Sequence, residues 1–454
     1  MTHYDLAIIG SGSGNSLIGP EFSEWQIAII EESTFGGTCL NVGCIPTKMY
    51  VYPADVAESI KHSGHLGVDG TIDRVRWADI RDRVFGRVDP ISASGRDYRA
   101  HGEPNVTLYE AHAEFAGPGE LLLSTGETIT ADHIVLATGS RPTVPDVVTA
   151  SGVPFHTSDT VMRIDELPER IAILGGGYIA AEFAHVFSAF GVETTVLARS
   201  APLLRHLDGE IAARFTEIAR QRWDVRTDTQ VVSAESIGGV VRLRLGDGST
   251  VEADLLLVAT GREPNADRLN LSAVGVEIHP DGRVIVDSWG RTTAAQVWSL
   301  GDVSSEHKLK HVANHEARVV AHNLAHPDDL VESDHRFVPA AVFTHPQLAS
   351  VGLTEEQAVA SGQPFVTAVQ EYGGTAYGWA MDDTTSICKV LADPTSGRLL
   401  GAHIMGEQAA TLIQPLIQAM SFGLGAREMA RGQFWIHPAL SEVVENALLA
   451  LELD

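Results

Sequence analysis

Short runs of aliphatic and β-branched residues alternate with stretches of helical spacing along most of the chain, and this alternation predicts doubly wound α/β units built on parallel sheets. Two such units stand out. The first runs from an apolar strand, Tyr4–Ile9, through the turn Gly10-Ser11-Gly12-Ser13-Gly14-Asn15 into a helix, then a second strand, Gln26–Ile30, ending in Glu31. The second runs from Ile171–Leu174 through Gly175-Gly176-Gly177 into a helix opening with Tyr178 and Ile179, then a strand, Glu193–Leu197. Two further buried strands, Ile134–Leu136 and Leu255–Val258, each end in Ala-Thr-Gly and a proline-containing turn, Thr138-Gly139 and Thr260-Gly261, where the chain passes between domains. Val297–Leu300 is a strand leading to Asp302, an acid suited to a polyol. After about residue 337 the strands and helices carry no such turn, which predicts a separate domain.

The glycines have a physical purpose. The first allows the tight turn, and the second lets backbone amides approach a pyrophosphate at the helix N-terminus. One copy would be weak evidence, but here there are two, each after a strand, and Glu31 lies where a carboxylate would bind a ribose hydroxyl. Asn15 replaces the third small residue of the first copy, so strand and helix are expected to pack less closely there.

Composition narrows the picture. The 454 residues predict several domains, and 44% hydrophobic with 20% charged residues is ordinary for a globular protein. A net charge of −27 repels nucleic acid and anionic membranes, so neither is an expected partner. Met1–Gly10 runs straight into a strand without a basic leader, which predicts a cytoplasmic protein.

Only three cysteines occur, Cys39, Cys44 and Cys388, too few for a disulfide framework. Cys39 and Cys44 lack the neighbouring ligands a metal site needs, which leaves redox chemistry. Residues five apart on an ideal helix have Cα atoms about 8 to 9 Å apart, beyond the roughly 7 Å a disulfide tolerates. The helix must therefore be distorted, and Gly43 is the residue placed to do it.

The segment Gly36-Gly37-Thr38-Cys39-Leu40-Asn41-Val42-Gly43-Cys44-Ile45-Pro46, with two nucleotide-binding turns, strongly resembles the pyridine nucleotide–disulfide oxidoreductases, relatives of glutathione reductase and dihydrolipoamide dehydrogenase. The resemblance spans Asp5 to Glu445. It implies an FAD flavoprotein with Cys44 beside the flavin, Cys39 attacking the substrate, and Lys48 paired with Glu182. It further implies FAD contacts from Gly10, Gly12, Gly14, Glu31, Thr38, Lys48, Thr138, Gly139 and Asp302, and pyridine nucleotide contacts from Gly175, Gly177, Tyr178, Ile179 and Gly261.

Near the C-terminus, Trp435-Ile436-His437-Pro438 with Glu442 five residues after the histidine resembles the family's acid–base segment. A thiolate leaving a disulfide needs a proton, and histidine suits that task. The family places this residue in the other subunit's site, which implies a homodimer with shared active sites. At the end of the second unit's second strand an NAD enzyme would carry an acid; Ala198, Arg199 and Arg205 stand there instead and point to the 2′-phosphate of NADPH.

For the substrate, a small-molecule disulfide, Pro20 replaces the arginine with which glutathione reductases bind glutathione, and no cysteine lies near the C-terminus as thioredoxin and mercuric ion reductases require. Segments such as Tyr377-Gly378-Trp379-Ala380-Met381 resemble the mycothione-reducing branch. The expected architecture is an FAD domain (1–142) with the cysteine pair, an NADPH domain (143–267), a central region completing the FAD site (268–336) and an α+β dimerisation domain (337–454). Alternatives are a dihydrolipoamide dehydrogenase, opposed by Arg199 and Arg205, and an inert flavin-binding interaction protein, opposed by Cys39, Cys44, His437 and Glu442.

Overall fold

In the computed structural model, which describes residues 1–454, the first apolar run forms the strand Thr2–Ile9, with Leu6, Ala7 and Ile8 wholly buried. It lies parallel between Ile27–Glu31 and Thr128–Leu136; Val106–Glu110 extends the sheet on one side and Val297–Ser299 on the other. Strands covered on both faces can be apolar throughout, which is why these sequences do not alternate. The last strand comes from far down the chain, so residues beyond the second unit complete the first sheet. Leu269, Leu271, Val276 and Val284 share its core.

The second unit is a parallel sheet in the order Asp224–Arg226, Glu193–Leu197, Arg170–Leu174, Leu255–Val258 and His156–Thr157. The chain enters and leaves it through Ser140–Pro142 and Arg262–Pro264, two short strands paired antiparallel. Beyond residue 337 lies a five-stranded antiparallel sheet, Ala340–Val342, Gln347–Gly352, Leu399–Gly406, Ile387–Ala392 and Val366–Glu371, whose core includes Val443 and Leu448 of the final helix, Ser441–Leu449. Two Rossmann-like α/β units and an α+β unit are the expected fold. No helix is long and apolar enough to cross a membrane.

One local expectation is corrected. The first glycine turn does not open a regular helix; it leads into 3₁₀ turns at Gly14–Leu17 and Pro20–Phe22. Gly19 and Pro20 interrupt any longer helix, through backbone freedom and the missing amide hydrogen respectively. Packing at the turn is also tighter than Asn15 suggested. A Cβ on Gly14 would lie 2.7 Å from Ile8 Cγ2 and 2.8 Å from the Ala137 Cβ, so Gly14 permits the close approach. Asn15 is turned instead to the buried Arg99, whose Nε donates to Asn15 Oδ1 at 2.7 Å.

Candidate functional site

The cysteine segment is not one helix. Gly37–Asn41 ends and Cys44–His62 begins across Val42 and Gly43. Gly43 (φ −129°, ψ −121°) lies where a Cβ would come within 2.9 Å of the Thr38 carbonyl oxygen. The break brings the Cys39 and Cys44 side chains into hydrogen-bond reach, and both are present as thiols. Cys39 is pulled down to about 7, first by the hydrogen bond from Cys44 and further by the Lys310 ammonium, against the opposing effect of burial. Cys44 is pushed up, first because it supplies that hydrogen bond and further by desolvation and by the incipient Cys39 thiolate beside it. One thiol of the pair is thus primed as a nucleophile near neutrality.

The pair is built onto the first glycine turn. Gly37, at φ +71°, approaches so closely that a Cβ would lie 2.6 Å from Gly12 Cα. Gly10, at φ +105°, abuts the Ala137 carbonyl in the same way. Beside this turn Glu31 is buried and held on both oxygens. Ser11 donates to Oε2 from its backbone N (2.9 Å) and hydroxyl (2.7 Å), and Ser33 donates to Oε1 from backbone N (2.9 Å) and hydroxyl (3.0 Å). The Ser11 hydroxyl in turn accepts from Gly36 N, linking Glu31 to the cysteine segment.

Lys48 lies one turn beyond Cys44, and its Nζ donates to both oxygens of Glu182 at 2.6 and 2.7 Å. Glu182 is buried on the helix Tyr178–Ala189 and also accepts from Phe343 N, at 2.9 Å, so one carboxylate ties together all three units. A cavity of about 1610 Å³ runs between them. Gly10, Gly12, Glu31, Thr38, Cys39, Cys44, Lys48, Thr138, Gly139, Glu182 and Asp302 line one part of it, and Gly175, Gly177, Tyr178, Ile179, Arg199, Arg205 and Gly261 another. Gly14, buried behind the turn, does not line it.

Several features fit a dinucleotide along each arm. The Thr138 hydroxyl is buried without a partner, and Ser140 donates to Asp302 Oδ2 at 2.6 Å. The helix Tyr178–Ala189 begins at Gly177 with no side chain capping it, leaving its first amides to bind an anion. Arg199 and Arg205 are exposed and have no carboxylate partner, although most arginines of this acidic chain do.

His437 and Glu442 form the expected pair, His437 Nδ1 lying 2.7 Å from Glu442 Oε1. They are not in the cavity of their own chain. The His437 side chain is 72% exposed, beside the fully exposed Phe434 and the exposed Ile436.

A family model of the pyridine nucleotide-disulphide oxidoreductases matches residues 4–317, and the model of their dimerisation domain matches residues 338–448. The chain belongs to this family. It is similar to the mycothione reductase of Mycobacterium tuberculosis, at 59% identity over 461 aligned residues covering 99% of this chain and 100% of that protein. It is also similar to the glutathione reductase of Burkholderia cepacia, at 32% identity over 97% of each. Among solved structures, the HOCl-induced flavoprotein disulfide reductase RclA from Escherichia coli superposes with a TM-score of 0.88 at 27% identity, covering 98% of this chain and all of that one.

As an oxidoreductase of this family the chain is a flavin disulfide reductase that uses FAD and a pyridine nucleotide, with a dimerisation domain at its C-terminus. Some site residues carried no signal in the sequence. Ser11 and Ser33 were invisible because serines flank many turns. Lys310 opens the helix Lys310–Ala325, is depressed by burial yet favoured by both cysteines, and donates to Ser13 Oγ at 2.9 Å. No motif marked it, because its partners lie some 270 to 300 residues earlier in the chain.

Proposed function

We propose that the chain is an NADPH-dependent reductase of mycothione, with FAD held by the first unit and NADPH by the second, in domains spanning 1–142, 143–267, 268–336 and 337–454. The observation that carries this reading is the pair Arg199 and Arg205, unpaired on the cavity wall where an NAD enzyme would place an acid. The near full-length similarity to a mycothione reductase supports the substrate.

When bound, FAD supplies the route by which two electrons pass from NADPH to the cysteine disulfide. Lys48, fixed by Glu182, places a positive charge beside the flavin site. Gly10, Gly12 and the anchored Glu31 would hold the pyrophosphate and ribose, with Thr38, Thr138, Gly139 and Asp302 around them, while Gly14 keeps the turn packed against the strand behind it; Gly175, Gly177, Tyr178, Ile179 and Gly261 would serve the pyridine nucleotide. The Cys39 thiolate attacks one sulfur of the substrate disulfide, forming a mixed disulfide and expelling one thiolate, which takes a proton from His437 of the partner subunit. Glu442 orients that imidazole through Nδ1. Cys44 Sγ then attacks Cys39 Sγ as its proton passes, by way of the same histidine, to the second departing sulfur, which restores the internal disulfide and releases the second thiol.

The decisive experiment is a side-by-side assay of NADPH and NADH oxidation with mycothione, glutathione disulfide and lipoamide. We expect turnover with NADPH and mycothione to exceed every other combination. Equal or faster turnover of lipoamide with NADH would overturn the reading in favour of a dihydrolipoamide dehydrogenase.

A further inference from the structure

The loop that carries Arg205 is gripped from behind by a residue of the C-terminal antiparallel sheet. Between Ala198 and the helix Gly209–Arg222 the chain faces two ways. Arg199, Arg205 and His206 line the cavity, while Leu203, Leu204 and Asp208 are completely or almost completely buried. Ala201 N donates to Asp228 Oδ1 at 3.2 Å and Leu203 N to Thr216 Oγ1 at 3.0 Å, and two further anchors bear directly on Arg205. Leu204, in the left-handed region at φ +55°, donates its amide to the Gly176 carbonyl at 2.7 Å, tying the loop to the nucleotide turn. A leucine held there at some backbone cost must be over-determined by its surroundings.

The second anchor is Asp208. Its Oδ1 lies 2.9 Å from Lys389 Nζ and accepts from Glu210 N at 3.2 Å, while Oδ2 accepts from Glu355 N at 3.0 Å. Lys389 comes from the strand Ile387–Ala392, is 2% exposed, and also binds Glu355 Oε2 at 2.6 Å. Buried charges are retained only when well paired, and breaking such a pair leaves a costly orphan. A link this deep, three residues from Arg205, serves to hold a position. It joins the nucleotide unit to the C-terminal sheet.

We propose that Lys389 is a positioning residue for nucleotide selectivity: through Asp208 it fixes the loop that presents Arg205 to the 2′-phosphate of NADPH. This rests on the reading of Arg199 and Arg205 given above. Removing the Lys389 ammonium loosens the Asp208 end of the loop, next to Arg205, so NADPH loses a well-placed arginine. NADH, which lacks the phosphate, loses little.

The test is steady-state and stopped-flow kinetics of the flavin-loaded enzyme with both nucleotides, for Arg205→Ala, Lys389→Met, Lys389→Arg and the charge-neutral pair Asp208→Asn/Lys389→Met. For Lys389→Met and for the pair we expect KM for NADPH to rise about 10-fold or more, as when a charged hydrogen bond is misplaced, with kcat and the KM for NADH changing less than about twofold. Lys389→Arg should restore much of the loss. Adding Arg205→Ala to either variant should cost little more, since the two act on one contact. The pair removes the one fully buried carboxylate that would be orphaned and leaves Glu355 and Glu210, both partly exposed, to water, so it guards against a variant that fails to fold. If Arg205→Ala itself leaves the preference for NADPH intact, the underlying reading of the arginines fails. If Arg205→Ala loses the preference while the folded Asp208→Asn/Lys389→Met pair keeps it, or if both nucleotides suffer equally, Lys389 is an interdomain strut and the proposal is overturned.

Discussion

At Gly10 and Gly175 the two nucleotide-binding units meet the same demand. Each residue has a positive φ, +105° and +139°, and a Cβ on either would strike the carbonyl of an alanine, Ala137 or Ala259, at 2.3 and 2.2 Å. After that the units part. The first turn runs into 3₁₀ turns, and its acid, Glu31, is buried under four donors. The second opens a 12-residue helix, and its candidate ligands, Arg199 and Arg205, stand exposed and unpaired. A site whose polar groups are fixed before the ligand arrives suits a resident cofactor, because folding has already met the cost of ordering them. Exposed, unpaired arginines on an open wall suit a nucleotide that must bind and leave in every cycle.

The largest effect should come from undoing the buried acid. We expect Glu31→Ala to strip the purified protein of most of its flavin, read as the ratio of flavin to protein absorbance, because four donors are left without their acceptor. Flavin retained at the wild-type ratio would erase the contrast between the units. Next in size, Arg199→Ala with Arg205→Ala should weaken NADPH binding by about 10- to 100-fold while changing NADH little, since charged hydrogen bonds to a phosphate are lost. Equal weakening of both nucleotides would count against the open-wall picture.

Glycine substitutions sharpen the comparison further. Gly14→Ala forces a methyl against Ile8 and Ala137 and should cost about 1–3 kcal/mol of stability by thermal melting. Gly177→Ala meets nothing within 4 Å, so its melting should match wild type and only nucleotide affinity should fall. The smallest effect concerns pH. Cys39 is lowered from 9.0 to about 7, so its thiolate is present above that pH and lost as the pH falls through it. Alkylation of the reduced protein by iodoacetamide should rise through about pH 7, and Lys310→Met should move the midpoint upward, because the ammonium that favours the thiolate is gone. An unmoved midpoint would leave Lys310 as a ligand of Ser13 alone.

Much of this was legible in the sequence because the relevant constraints are local. A strand followed by Gly10 or Gly175, or two cysteines five apart with Gly43 between them, carries its geometry within a few residues. The broken helix at Val42–Gly43 follows from the reach of a disulfide, and the structure has it. The 3₁₀ turns at Gly14–Leu17 and Pro20–Phe22 were missed because a fingerprint was read as implying a helix, although Gly19 and Pro20 were there to argue otherwise. What stayed hidden is what depends on distant partners. Lys310, Ser11 and the Asp208–Lys389 link draw their meaning from residues that only the fold brings near.

On the mechanism proposed above, the placement of His437 on the outer face of its own chain, next to bare Phe434 and Ile436, makes the reaction sensitive to how crowded the chains are. In that scheme, accepting electrons from a nucleotide engages residues of one chain, whereas releasing a reduced substrate draws on two. Dilution through the dissociation constant of the dimer should therefore leave the first rate constant per chain, while specific turnover of disulfide falls away and returns on concentration. Catalysis in such a molecule carries its own assembly check: a chain that has not found its partner can be charged with electrons but has little means of spending them.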